Sequence, residues 1–175
     1  FKAIDDETAV NWTAHKSKWL ETWAIYLKHA PIGRCDIFSN RPRHQKLDHP
    51  YRSSSGEDVV AVFNEAFAQM YRLVKAHNSK ALFIADLYSE GKALFEYGFR
   101  PQPAEDFLLS WPDNGFGRIT TLPTQQEGYR HGIYVHAGFW LNHLVQDPYP
   151  LLLAQEMKRA RLAHKADQYC LVNGQ

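Results

Sequence analysis

The chain has 175 residues, a formal net charge of +1, and 45% hydrophobic and 22% charged residues. These values are typical of a soluble globular domain with a real core. The sequence contains no run of like charges and no apolar segment of membrane-spanning length. We therefore expect neither nucleic acid nor membrane as a partner. The 14% share of aromatic residues fits either a bulky core or carbohydrate binding.

The ends and the cysteines of the chain add little. The sequence begins at Phe1 and shows no signal-peptide pattern, so we expect a processed or excerpted polypeptide and read no localisation from it. Cys35 and Cys170 have no spacing typical of a metal or redox site, and Cys35 is predicted to be buried.

Apolar periodicity predicts helices and strands that alternate along the chain. Helices are predicted over residues 10–29, from residue 58 onward, and over residues 89–97 and 150–165. Strands are predicted over residues 35–38, 81–85, 107–111 and 133–135. Residues 40–56 are predicted to form a long loop, and loops of that length are usually functional or disordered.

Two of the helices have assignable faces. The second is predicted to pack its apolar stripe into the core, namely Val60, Phe63, Phe67, Met70, Tyr71 and Val74. The last is predicted to turn Leu151, Leu152, Ala154, Met157 and Leu162 inward, and Lys158, Arg159 and Arg161 toward solvent.

This order of elements predicts an α/β fold of about four β-α units with parallel strands and right-handed crossovers. A closed (β/α)8 barrel takes roughly 250 residues, so the chain is either a small open sheet or half of a barrel. We predict one domain, with an N-terminal helix in residues 1–33, β-α repeats in 34–165 and a tail in 166–175.

Polar residues follow each predicted strand, and ligands bind at the carboxyl ends of parallel strands. In chain order these residues are Asn40 and Arg41, Asp86 to Glu90, Asp113 and His136. Carboxylates, a histidine and an arginine on one rim suit acid/base chemistry on a polar substrate.

Each rim residue also has a purely structural interpretation. Asp86 and Glu90 stand where a helix begins, and acids there complement the helix dipole. Asp113-Asn114-Gly115 is good turn chemistry. His136 is equally compatible with a hydrogen-bonded core histidine. These alternatives stay open at this point.

Other motifs give less support to a function. His131, His136 and Asp113 suggest a metal-dependent hydrolase, but His131 is expected before the strand and His136 after it, at opposite ends. No His-Glu-x-x-His or Cys-x-x-Cys motif accompanies them. We therefore predict neither a metal site nor a cofactor.

Several segments, taken in order, carry a resemblance to a known family. Trp111 to Ile119, followed by Leu122-Pro123-Thr124, is similar to the Trp-x-Asp-Asp-Asn-x-Gly segment of glycoside hydrolase family 115. Tyr134 to Phe139 is similar to its Tyr-Tyr-His segment, and residues 89–99 to its Lys-Glu-Val helix start that ends in Gly-Leu. Residues 37–41 resemble its Gly-x-Arg-Gly strand end in the position of the arginine.

The resemblance implies a fold, an activity and a place for the site. The family's members are α-glucuronidases that remove 4-O-methyl-glucuronic acid from xylan, and their catalytic domain is a (β/α)8 barrel. The chain would supply about four units of that barrel and pack against the remainder or another chain. The resemblance also favours a secreted or periplasmic protein.

The resemblance further implies roles for six residues. Glu90 and Asp113 fall at essential carboxylates, and substrate binding is assigned to Arg41, Asn114, His136 and Trp111. Asn114 and Gly115 depart from the family, which has an acid and an amide there.

We expect hydrolysis at a polar or acidic sugar of a plant or algal polysaccharide, with inversion by two carboxylates roughly 6.5–9.5 Å apart. Asp113 is predicted to be the acid, because flanking Trp111 and Phe116 would surround it with apolar groups that favour its protonated form. Glu90 is predicted to be the base or to position water. The alternative is a carbohydrate-binding or scaffold remnant that lost the chemistry.

Overall fold

The computed structural model describes residues 12–29, 37–40, 58–88, 90–123, 127–137 and 150–173. Its helices are α1 (Trp12–His29), α2 (Val59–His77), α3 (Glu90–Glu96) and α4 (Pro150–His164), with a 3-10 turn at Ala104–Asp106. Its strands are β1 (Ile37–Asn40), β2 (Leu82–Asp86), β3 (Phe107–Pro112), β4 (Arg130–His136) and β5 (Cys170–Asn173).

The five strands form one parallel sheet in the order β1-β2-β3-β4-β5. The sheet curls into a half-barrel with helices between its strands, which confirms the predicted α/β half-barrel. The described residues between β3 and β4 form no helix, so this connection departs from a regular β-α repeat.

The helices cover the outer, convex face of the sheet. Successive residues of a strand point to opposite faces, so Phe107, Leu109 and Trp111 share one side of β3. Phe107 packs on Phe67 of α2, with ring centroids 6.3 Å apart, and Trp111 packs on Phe95 of α3 at 5.5 Å. The register then assigns His131, Ile133 and Val135 to this outer face and Tyr134 and His136 to the concave inner face.

Helix α2 forms as its sequence predicts. The Asp58 carboxylate caps its first turn by accepting hydrogen bonds from the amides of Val60 and Ala61, at 2.9 and 3.3 Å. Its predicted stripe enters the core through Phe63, Phe67, Met70 and Val74. None of the described helices combines the length and the apolar character that crossing a bilayer requires.

Three sequence-based expectations need correction. Helix α4 buries Glu156 and Ala160, whereas Leu151, Met157 and Leu162 are exposed. The reason is that Glu156 is paired with Arg159 and therefore occupies the inward side of the helix. The predicted C-terminal tail contains strand β5. Strand β4 is longer than predicted and includes both His131 and His136, so the two histidines do not flank the strand. Cys35 and the loop at 41–56 lie outside the described residues.

Candidate active site

The carboxyl ends of the strands form a rim on which several polar side chains lie. Asp86 ends β2, Asp113 directly follows β3, His136 ends β4 and Asn173 ends β5. His136 and Asn173 are register partners, whereas Asp86 pairs with Ser110, whose partner in β4 is Gly132, four residues before His136. Of the predicted rim residues, Asp86, Asp113 and His136 therefore stand at or next to strand ends in the part of the chain that the structure describes.

Asp113 and His136 form a buried pair on this rim. The imidazole Nδ1 of His136 lies 2.5 Å from the Asp113 Oδ1, and the two side chains are 7% and 0% exposed. The backbone amide of His136 also donates to Asp113 Oδ2, at 2.8 Å. Side chain and main chain of His136 are thus both fixed by one carboxylate, across the gap between two neighbouring strand ends.

The loop after β3 is built around the same carboxylate. Asp113 accepts hydrogen bonds from the amides of Gly115 and Gly117, at 2.8 and 3.1 Å. Asn114 Oδ1 accepts from the amides of Phe116 and Arg118, at 3.0 and 3.2 Å. Gly115 and Gly117 have φ angles of 81° and 76°, which favour glycine. Two adjacent side chains therefore shape the loop.

Two tyrosines and His136 bring their rings together on the rim. The ring of Tyr134 lies 4.9 Å from that of His136 and 5.5 Å from that of Tyr88, which follows β2. Asn173 Nδ2 donates to the Tyr134 hydroxyl at 3.0 Å. Tyr88, Tyr134 and Asn173 were not predicted as site residues. The available signal was that Tyr134 stands two residues before His136 in one strand, and hence on the same face.

Trp111 does not lie on the rim. It was predicted to bind substrate, but it is 3% exposed and belongs to the core on the outer face. Its Nε1 donates a 3.0 Å hydrogen bond to Nδ1 of His131, also on that face. Phe116 is 45% exposed. Asp113, for which apolar surroundings were expected, has hydrogen-bond donors at both oxygens of its carboxylate.

Helix α4 fixes the far side of this loop through a buried acid. Glu156 is 5% exposed and accepts a hydrogen bond from the amide of Ile119 at 3.0 Å. Arg159 donates both to Glu156, at 2.5 Å, and to the carbonyl of Ile119. The loop that carries Asp113 is thus tied to the outer helix layer as well as to β4.

A comparison with protein-family models identifies the family of this chain. The model of glycosyl hydrolase family 115 matches residues 4–174. The chain belongs to glycosyl hydrolase family 115. The resemblance seen in the sequence is therefore confirmed.

One solved structure in the same family shares the fold. It is a family GH115 4-O-methyl-α-glucuronidase with specificity for decorated arabinogalactans, and it superposes with a TM-score of 0.76 at 20% sequence identity. The match covers 97% of this chain and 23% of that chain, so the chain spans about a quarter of its relative's length. The comparison with curated proteins gave no match.

The other family 115 positions are placed only in part. Glu90 begins helix α3, four residues after the end of β2. Arg41 lies outside the described residues. Asn114 is exposed at the rim, with its side-chain oxygen engaged in the loop.

The metal alternative gains no support from the described residues. Among them, no three His, Cys, Asp or Glu side chains are grouped to hold a metal ion. His131 and His136 are five residues apart in one strand and therefore point to opposite faces. A site that joins both to Asp113 would need His131 to leave the core.

Proposed function

We propose that this chain forms part of the catalytic barrel of a glycosidase that removes glucuronic acid from decorated polysaccharides. Membership of family 115 carries the proposal, because the family match spans nearly the whole chain. The rim supports it, since polar side chains cluster at the carboxyl ends of parallel strands, where barrel enzymes bind substrate.

Inverting hydrolysis requires one carboxylic acid to protonate the leaving oxygen and one carboxylate to activate water. We propose that Glu90, which the resemblance places at an essential carboxylate, is the base or positions the water. Both oxygens of Asp113 are engaged by donors within a fully buried side chain, which favours a role behind the residues that touch the sugar. Arg41 and His136 are proposed to hold the sugar carboxylate and hydroxyls.

The test is release of 4-O-methyl-glucuronic acid from glucuronoxylan and from glucuronic-acid-decorated arabinogalactan, with this chain inside a complete barrel. The anomeric configuration of the first product, observed by NMR, decides the stereochemistry. Inversion of an α-linked uronic acid yields the β anomer first. Absence of release from both polymers by a folded enzyme would overturn the proposal.

A carbohydrate-binding remnant is the second candidate. It is favoured by Asn114 and Gly115, which replace the acid and the amide of the family segment, and by the engagement of Asp113 in the loop. This candidate predicts binding of an acidic oligosaccharide, measured by calorimetry, with no product after prolonged incubation. The hydrolase proposal predicts product under the same conditions.

We further propose that the remainder of the barrel packs against both edges of the sheet. Among the described strands, β1 pairs only with β2 and β5 only with β4. Apolar side chains are exposed at both edges, among them Ile37, Leu171 and Val172. A groove of about 660 Å³ beside β5 is lined by Met157 and Leu162 of α4 together with the charged side chains of Lys158, Arg161 and Asp167.

A further inference from the structure

The pairing of Asp113 and His136 restricts which ring nitrogen carries the proton. Asp113 Oδ1 accepts from the amide of Gly115 and lies 2.5 Å from His136 Nδ1. Oδ2 accepts from the amides of Gly117 and His136. An ionised carboxylate only accepts hydrogen bonds, so the ring nitrogen that faces it must donate. The proton of a neutral His136 ring therefore lies on Nδ1, and Nε2 carries the lone pair.

From this geometry we propose that Asp113 is a positioning residue that holds His136 in the Nδ1–H form, so that Nε2 accepts a hydrogen bond from a hydroxyl of the bound sugar. The hydrogen bond from the sugar hydroxyl rests on the proposed glycosidase function. The position of the proton on the His136 ring is a property of this chain alone. Hydrogen bonding at one ring nitrogen is a general way to set which form the imidazole takes.

Shaping the loop does not by itself explain a carboxylate at position 113. The neighbouring Asn114 takes two backbone amides with a single amide oxygen. Asp113 binds two loop amides as well, but it distributes them over its two oxygens and adds one bond from His136 to each. The additional acceptor capacity serves His136. The rings of Tyr134 and Tyr88 lie against the imidazole at 4.9 and 5.9 Å and limit its rotation.

The substitution Asp113→Asn separates these roles. An asparagine must place its NH2 group where one of the two oxygens lies. The Oδ2 position faces two backbone amides, which cannot become acceptors. The Oδ1 position faces only one backbone amide, that of Gly115, and also His136 Nδ1, which becomes an acceptor if the ring proton moves to Nε2. We therefore expect Asp113→Asn to switch His136 to the Nε2–H form, in which Nε2 no longer accepts from a sugar hydroxyl.

The closing experiment records the imidazole 15N chemical shifts of the whole chain at a pH where the ring is neutral, with His136 assigned through His136→Gln. The expected result is protonated Nδ1 in the wild type and protonated Nε2 in Asp113→Asn. The matched control is Asn114→Ala, which disturbs the same loop without touching His136 and should retain the wild-type form. A wild-type ring protonated on Nε2 would overturn the proposal, even if the variant failed to fold.

Kinetics of the complete enzyme then test the sugar contact. Asp113→Asn and His136→Gln are each expected to lower kcat/KM by about 10²-fold or more, and the double variant should lose no more than the worse single variant. Additive losses would show that Asp113 acts independently of His136 and would overturn its positioning role. An inactive wild-type enzyme would refute the proposed function and the sugar contact while the NMR result on the ring still stands.

Discussion

The backbone amide of Ile119 donates a 3.0 Å hydrogen bond to the buried carboxylate of Glu156, 37 residues further along the chain. Glu156 lies on α4, in the outer layer, whereas Ile119 belongs to the loop that begins with Asp113. The link shows that the rim is fixed from outside the half-barrel. Its removal is expected to affect the loop before it affects the sheet.

Glu156→Ala tests this link directly. The change removes the acceptor of the buried Ile119 amide, and an unpaired buried donor costs roughly 1–3 kcal/mol. Arg159 is 43% exposed and keeps its hydrogen bond to the Ile119 carbonyl, so its contribution is small. We expect a loss of that order in the free energy of unfolding, measured by denaturant titration. Arg118→Ala is the control, because Arg118 is 63% exposed and 3.6 Å from Glu156, and should cost less than about 1 kcal/mol.

A second polar cluster lies at the opposite end of the sheet and predicts acid sensitivity. The Tyr71 hydroxyl donates to Asp106 at 2.5 Å, and Lys75 lies 2.9 Å from the same oxygen. The hydrogen bond from Tyr71, aided by Lys75, lowers the pKa of Asp106. A lowered folded-state pKa adds stability that is present above the unfolded value, about 3.9, and is lost as pH falls through the folded value.

Tyr71→Phe should therefore reduce the free energy of unfolding most near neutral pH. We expect a cost of about 1–2 kcal/mol at pH 6–7 that shrinks below pH 4, as Asp106 becomes protonated in both proteins. Unfolding curves from pH 7 to pH 2 measure it. Tyr97→Phe is the matched control, because Tyr97 is 79% exposed, and its cost should be small at every pH. A cost for Tyr71→Phe that does not change with pH would contradict the assignment.

The buried hydroxyl of Tyr129 is expected to make the protein less stable at alkaline pH. Burial raises the pKa of its hydroxyl to about 12, and the hydroxyl donates to the carbonyl of Pro101 at 3.0 Å. A raised folded-state pKa adds stability that is fully present below the unfolded value, about 10, and is lost as pH rises through about 12. Tyr129→Phe should reduce the decline in unfolding free energy between these values. An unchanged decline would contradict the prediction.

Local sequence predicted the elements whose signal is strong over many residues. Helix α2 has a capping aspartate and a long apolar stripe, and both are found in the structure. Strand β5 escaped prediction because its four residues show no alternation of buried and exposed positions. The predicted apolar face of α4 was wrong because periodicity assumes that apolar residues turn inward, whereas Glu156 is buried by its pairing with Arg159 and the Ile119 amide. Lys158, Arg159 and Arg161 are exposed, as predicted.

The site was predictable in its position but not in its contacts. Residues that directly follow strands, such as Asp113, are visible in the sequence, and the order of strands places them on one rim. Whether a side chain near a strand end faces inward depends on register. Trp111 is paired with Ile133 and therefore faces the helices. The approach of Tyr88 to Tyr134 crosses an intervening strand, and no local pattern encodes it.

Gly132→Ala tests how closely β5 approaches β4. A Cβ at position 132 would meet the carbonyl oxygen and the Cβ of Tyr169 at 2.6 and 2.7 Å. The same carbonyl accepts a hydrogen bond from the Ile133 amide at 2.9 Å, so the two segments cannot move apart without weakening that bond. We expect a loss of roughly 1–3 kcal/mol, with faster amide exchange in β5.

Ser110→Ala is the control for that variant, since Ser110 and Gly132 are register partners. Ser110 is 1% exposed, and its hydroxyl has no hydrogen-bond partner among the described residues. Its removal should be neutral or slightly stabilising. A large loss of unfolding free energy in Ser110→Ala would mean that any substitution at this level of the sheet is destabilising. The Gly132→Ala result would then not report on β5.

The edges of the half-barrel predict how the chain behaves alone. Val172 lies on edge strand β5 with 49% of its surface exposed, and unpaired strand edges promote association. We expect the 175-residue chain to self-associate as concentration rises, measured by size-exclusion chromatography with light scattering. Val172→Lys should reduce the association, because a charge on an edge strand opposes pairing. Tyr26→Lys, which removes a 68% exposed aromatic from α1, should not. A stable monomer at all concentrations would contradict the need for further barrel segments at these edges.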